Sequence, residues 1–139
     1  MECTLRWDGH GMSFVAETES GHVVVMDGAP QGGGRNLAPR PMELVLAGTG
    51  GCTAYDVVLI LKRSRQDVAS CELKLSAERA QTDPKVFTKI HMHFIVRGRN
   101  LKAALVANAV RLSREKYCSA SKMLEKTAAI TADFEIVAA

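Results

Sequence analysis

Four cysteines, Cys3, Cys52, Cys71 and Cys118, are the groups in this chain best suited to covalent chemistry. Cys52 lies in LVLAGTGGCTAYDVVLIL, residues 44–61, directly after Gly48, Gly50 and Gly51. Each glycine inside a helix costs about 1 kcal/mol against alanine, so the three disfavour it by roughly 3 kcal/mol before tertiary contacts are counted. Gly48 stands one turn before Cys52 and clears the surface toward which a residue at 52 leans. Two readings follow. Either the glycines allow close helix packing with Cys52 as a small buried hydrophobe, or they line a pocket beside a reactive thiol. Spacing alone does not choose between them.

Cys118, in YCSASKML, falls at the start of a predicted short helix, where free N–H groups and the positive end of the macrodipole favour a thiolate. Cys52 is some ten residues into its own helix, too deep for that dipole, and Asp56 one turn on would raise its pKa by like-charge repulsion. Activation of Cys52 must come from elsewhere. The preceding loop, GGGRNLAPRP, supplies Arg35 and Arg40. A guanidinium within about 4–6 Å depresses a thiol pKa. Arg40, between two prolines, is the better ordered of the two, whereas Arg35 follows three glycines. The plainer reading is that both arginines are solvated and keep the loop soluble. His91 and His93 share a strand face without an evident third ligand, so no metal site is expected. Cys3 and Cys71 are expected to serve packing. The GGG at 32–34 lacks the lysine and serine of a phosphate-binding loop.

The elements that must position these groups read as α+β. TLRW, SFVAETE and HVVVMD alternate as strands of a small antiparallel meander, with a reversal at SGH, residues 20–22. Residues 28–41, rich in glycine and proline, read as an exposed mobile loop. A helix from about Met42 to Arg65 follows. Its VVLIL centre is apolar on every side, which predicts enclosure all round and, in so small a chain, a second subunit. CELKLSAER and FTKIHMHFIVRG form a hairpin, and a helix with Asn100 as N-cap carries Leu101, Leu105, Ala109 and Leu112 on one face. A short helix opens at Cys118, and ADFEIVA closes the chain as a strand able to join the second sheet.

The chain has 139 residues, 47% hydrophobic, with a net charge of +3 and 5% aromatics. These values suit one domain over residues 1–139 and argue against a nucleic-acid surface. No uninterrupted apolar run reaches the roughly 18 residues of a membrane span, and no signal peptide is read, so no membrane association and a cytoplasmic, reducing location are expected.

PMELVLAGTGGCTAYDVV together with YCSASKMLEK resembles the OsmC/Ohr family of osmotically induced and organic-hydroperoxide-resistance proteins. MDG before the loop, RQDV after the helix and EKYCS with MLEK are similar to its YhfA-like branch. The resemblance implies an intertwined homodimer, with two small antiparallel sheets around long central helices. It also implies a first cysteine, here Cys52, that attacks an organic hydroperoxide, and a second, here Cys118, that resolves the product as a disulfide. An external dithiol would reduce it, with no cofactor. The family's peroxidases carry a glutamate ten residues before the first cysteine, paired with an N-terminal arginine. Met42 stands at the glutamate position, Glu43 is only its neighbour, and no arginine in HGMSFVAETES matches the partner. Both halves of the pair are absent, so a second class stays open: a non-peroxidatic member acting on another small electrophile or sulfur species, or binding an apolar ligand.

Overall fold

The computed structural model describes residues 1–139, in two compact units, Met1–Ala47 and Gly48–Ala139. In the first unit β1 (Cys3–Trp7), β2 (Phe14–Thr18) and β3 (Val23–Met26) form the expected antiparallel meander. Its reversal turns on Gly21, at φ 85°, with the Thr18 amide donating to the His22 carbonyl at 2.9 Å. A side chain at such φ would be strained. Within this unit Ala16 is buried, whereas Leu5, Trp7, Val23 and Val25 are exposed.

The loop after β3 is better organised than its composition suggests. Asp27 is 1% exposed, and its carboxylate accepts the amides of Gly28 at 2.7 Å and of Arg35 and Leu37 at 3.3 Å each. Those bonds, Gly28's foremost, hold its carboxyl below the usual range despite burial. A 3₁₀ turn at Pro30–Gly32 lies inside the segment expected to lack regular structure.

Helix α1, Pro41–Arg63, starts with proline in its first position, and the Glu43 carboxylate accepts the Arg40 amide at 2.9 Å. That is the backward half of a capping box. Over an 18-residue window α1 has mean hydropathy 1.7, long and apolar enough by composition to cross a bilayer, which counting only uninterrupted apolar runs overlooks. The expected enclosure on every side does not hold within one chain. Thr49, Gly50, Thr53, Val57 and Leu61 are buried, a single stripe one turn apart, while Tyr55 is 70% exposed.

In the second unit β4 (Asp67–Arg79) and β5 (Phe87–Arg99) form the hairpin, and β6 (Ala129–Ala138) lies on the far side of β5. β6 runs parallel to β5, so this sheet is mixed and not antiparallel throughout. The reason is the connection: α2 (Ala103–Leu112) and α3 (Ser119–Leu124) carry the chain back to the start of β5 before β6 begins, as parallel pairing requires. Alternation along β5 puts Ile90, Met92, Phe94 and Val96 in the core, each at most 1% exposed. Burying a side chain such as Phe94 contributes about 1.5–3 kcal/mol. Leu73 and Leu75 pair with Phe94 and Met92 across the ladder and meet α1 at Gly50, where a Cβ would fall 2.5 Å from Leu75 Cδ1. Gly50 therefore lets helix and sheet approach. Gly48 and Gly51 have nothing within 4 Å of the place a Cβ would take.

Asn100 does not cap α2. It sits at φ 52° in the preceding turn, and Lys102 is the N-cap. The Lys102 amide is received by Gln66 Oε1 at 2.9 Å, so its partner comes from the turn between α1 and β4.

Candidate functional site

Two helical segments of the second unit bring the chemistry together. α1 carries Cys52 and Thr53 side by side and Asp56 one turn after Cys52. α2 runs into a π-helical turn, Ser113–Tyr117, whose wider step ends with the Cys118 amide donating to the Ser113 carbonyl at 2.8 Å. Cys118 is then extended and serves as N-cap of α3. Its Sγ accepts the Ser121 amide at 3.3 Å. The result is a cluster in which Cys52 Sγ, Cys118 Sγ and an Asp56 carboxylate oxygen lie within 4.8 Å of one another.

Hydroxyl groups surround this cluster. Thr53 Oγ1 donates to Cys118 Sγ at 3.0 Å and also lies 3.1 Å from the Thr49 carbonyl and 3.4 Å from Ser121 Oγ. Ser113 Oγ stands 3.1 Å from both the Thr53 carbonyl and Asp56 Oδ2. Each hydroxyl has one proton to share among these acceptors. Cys118, Thr53, Ser113 and Ser121 are almost wholly buried, whereas Cys52 and Asp56 keep partial access to solvent.

The two thiols are driven in opposite directions. Burial pushes Cys118 up, but the Ser121 hydroxyl, Thr53, the Ser121 amide and the Cys52 thiol together hold it below the ordinary thiol value. For Cys52 the Ala120 amide acts downward most strongly, helped by Ser119, yet burial and the thiolate at Cys118 outweigh them and leave it raised. Of the two, Cys118 is the sulfur that its surroundings favour as thiolate, and Cys52 the one they favour as thiol. α3 supplies amides to both sulfurs, as the position of Cys118 predicted for Cys118 alone.

The structure brings Cys52 and Cys118 together. Arg40 and Arg35 belong to the first unit. Arg40 is engaged there with Glu43, its Nη1 3.4 Å from Glu43 Oε1, and Arg35 gives its amide to Asp27. Thr53, Ser113 and Ser121 escaped the sequence reading. The available signal was Ser121 three residues after an N-capping cysteine, the position whose amide a cap receives. Cys3, expected in packing, is exposed, while Cys71 is half-buried and burial raises its pKa. His91 and His93 find carboxylates on β6. Asp133 Oδ1 is 3.2 Å from His91 Nε2 and 2.6 Å from His93 Nδ1, and Glu135 Oε2 is 3.2 Å from His93 Nε2.

Residues 32–133 match the family described as OsmC-like protein. The chain is 51% identical to Protein YhfA of Escherichia coli K12 over 139 residues, all of both chains. A hypothetical protein from Aquifex aeolicus VF5 has a similar structure, with TM-score 0.85, 28% identity, and coverage of 99% of this chain and 96% of that one. An organic hydroperoxide resistance protein OsmC from Legionella pneumophila shares the fold at TM-score 0.70 and 15% identity, covering 96% of this chain and 95% of its own. The matched span includes both helical segments that build the dithiol, and the chain belongs to the OsmC family.

Proposed function

We infer that the protein is a thiol-dependent reductant of organic hydroperoxides, acting through Cys52 and Cys118. The observation that carries this reading is the close sulfur pair, within 4.8 Å, one member partly open to solvent and the other sealed. Cys52 is the attacking atom because a hydroperoxide can reach it. Cys52 first gives up its proton to solvent. Cys52 Sγ then attacks the distal peroxide oxygen, the O–O bond breaks, and the alkoxide leaves as the alcohol after protonation. Cys118 next attacks Cys52 sulfenic acid as its thiolate, and the proton it gave up leaves with the hydroxyl as water. Hydroperoxide and two thiols thereby become alcohol, water and a disulfide, which an external dithiol reduces.

A cavity of about 300 Å³ lined by Asp56, Leu59, Ile60, Arg63, Ser64, Leu112 and Tyr117 adjoins the cluster through Asp56, and its apolar walls would suit an alkyl group better than hydrogen peroxide. We also infer that the working form is a homodimer, because the Gly51, Ala54, Tyr55 and Val58 face of α1 is open in one chain.

The raised pKa of Cys52 favours a second reading, in which the pair serves another small electrophile or sulfur species. Single-turnover assays with cumene hydroperoxide separate the two. Cys52→Ser should consume none, whereas Cys118→Ser should consume one equivalent and stop at sulfenic or over-oxidised Cys52. Equal consumption by Cys52→Ser and the unaltered protein would remove Cys52 from the reaction.

A further inference from the structure

We propose that the reduced dithiol is also a binding site for a soft divalent cation of the zinc type, held by Cys52 Sγ, Cys118 Sγ and an Asp56 carboxylate oxygen. The site shares residues with the hydroperoxide reading but not its chemistry, and stands without it.

Distance is the first argument. The three ligand atoms already lie within 4.8 Å of one another. Tetrahedral zinc, with bonds of about 2.3 Å to sulfur and about 2.0–2.2 Å to carboxylate oxygen, needs them roughly 3.4–3.8 Å apart. Small side-chain rotations close that gap, because Cys52 and Asp56 are one turn apart on the same face of a rigid helix.

The surroundings are the second. Metal-bound thiolates are held by N–H and O–H donors, and ligating carboxylates by a further hydrogen bond. Here Thr53 and the Ser121 amide serve Cys118, the Ala120 and Ser119 amides serve Cys52, and Ser113 holds Asp56 Oδ2, leaving the other oxygen for the ion. Two thiolates with one carboxylate select zinc over magnesium or calcium, and three protein ligands leave a fourth position for water. The His91, His93, Asp133 and Glu135 group is the rival, but it is thiol-free and its imidazole nitrogens are spent on carboxylates and Thr131.

Binding takes both sulfurs as thiolates, and disulfide formation removes both as ligands, so cation and hydroperoxide exclude each other. The test uses full-length protein, reduced, desalted without oxygen, and titrated with zinc alone against a chromogenic chelator. Zinc should bind at one equivalent per chain and protect Cys52 and Cys118 from alkylation. Cys52→Ser and prior oxidation to the disulfide should abolish binding, Asp56→Asn should weaken it tenfold or more, and His93→Ala should leave it unchanged. Circular dichroism on each variant confirms folding, and Asp56→Asn retains an acceptor for Ser113. Absence of zinc binding at micromolar concentrations, binding that survives Cys52→Ser, or binding lost in His93→Ala would overturn the proposal. Hydroperoxide turnover measured with chelator present reads the other activity separately.

Discussion

At the scale of single residues, the Thr53 hydroxyl joins the Ser121 hydroxyl in holding the Cys118 pKa down. It donates to a sulfur with no exposure to solvent, and a hydrogen bond to a charged group is worth about 1.5–3 kcal/mol. Thr53→Val keeps the shape and removes that donor. Cys118 then holds its proton more tightly, and its negative charge weighs less on Cys52. The two chemical steps should respond in opposite senses: sulfenic acid formation at Cys52 about tenfold faster, and disulfide closure by Cys118 about tenfold slower. Stopped-flow trapping of the sulfenic acid, alongside titration of remaining thiols, resolves both rates. If both steps slow together, Thr53 is only structural. This residue also shows what the sequence concealed. Cysteines announce their chemistry by type, but a threonine on an apolar helix face reads as packing until its partner, 65 positions on, is known.

At the scale of elements, periodicity made β5, α1 and α2 legible, because burial on one face imposes spacings of two or about four. Three features lay outside that signal. The π-helical turn Ser113–Tyr117 continues a helical pattern and differs only in its hydrogen bonding. The parallel direction of β6 depends on the crossover and not on the strand's own residues. Of the three glycines before Cys52, only Gly50 faces the sheet, where Leu75 occupies the space a side chain would need.

The β5–β6 pair carries a pH dependence of its own. Asp133, followed by Glu135, raises His93 above its ordinary 6.5, and His93 in turn lowers Asp133 below its ordinary 3.8. The histidine's contribution is complete below its unfolded pKa and is lost as pH rises through its higher folded value. The aspartate's is present above its unfolded pKa and is lost as pH falls through its lower folded value. The tie is therefore strongest between about pH 4 and 6.5. His91 shares Asp133, and Lys74 stands beside His93 on β4 and opposes its charge. Thermal melting of His93→Gln should show its largest deficit against the unaltered protein near pH 5–6, shrinking toward pH 8. A deficit constant across that range would mean that the imidazole acts by packing alone.

At the scale of the whole molecule, the apolarity of α1 exceeds what one chain covers. Counting hydrophobic residues correctly marked the helix as a core element, yet the single chain buries only one stripe of it and leaves Tyr55, Val58 and Leu59 around an open apolar hollow. The first unit tells the same story, with Leu5, Trp7, Val23 and Val25 exposed on a three-stranded sheet. A second copy would cover such surfaces, since contiguous exposed apolar patches mark contact sites. Light scattering should give about 30 kDa, twice the 15.0 kDa chain, and Tyr55→Arg should shift the protein toward the monomer. A stable 15.0 kDa species for the unaltered protein at micromolar concentration would contradict the assembly.

The central claim is that one sulfur reduces a hydroperoxide and its neighbour closes the cycle. One equivalent of cumene hydroperoxide, added to fully reduced protein without external dithiol, tests it most directly. All four cysteines begin free. The account predicts that two thiols per chain disappear, that one equivalent of alcohol forms, and that peptide mapping finds Cys52 joined to Cys118 with Cys3 and Cys71 still reduced. Four thiols remaining beside unreacted hydroperoxide, or a disulfide that involves Cys3 or Cys71 instead, would contradict it.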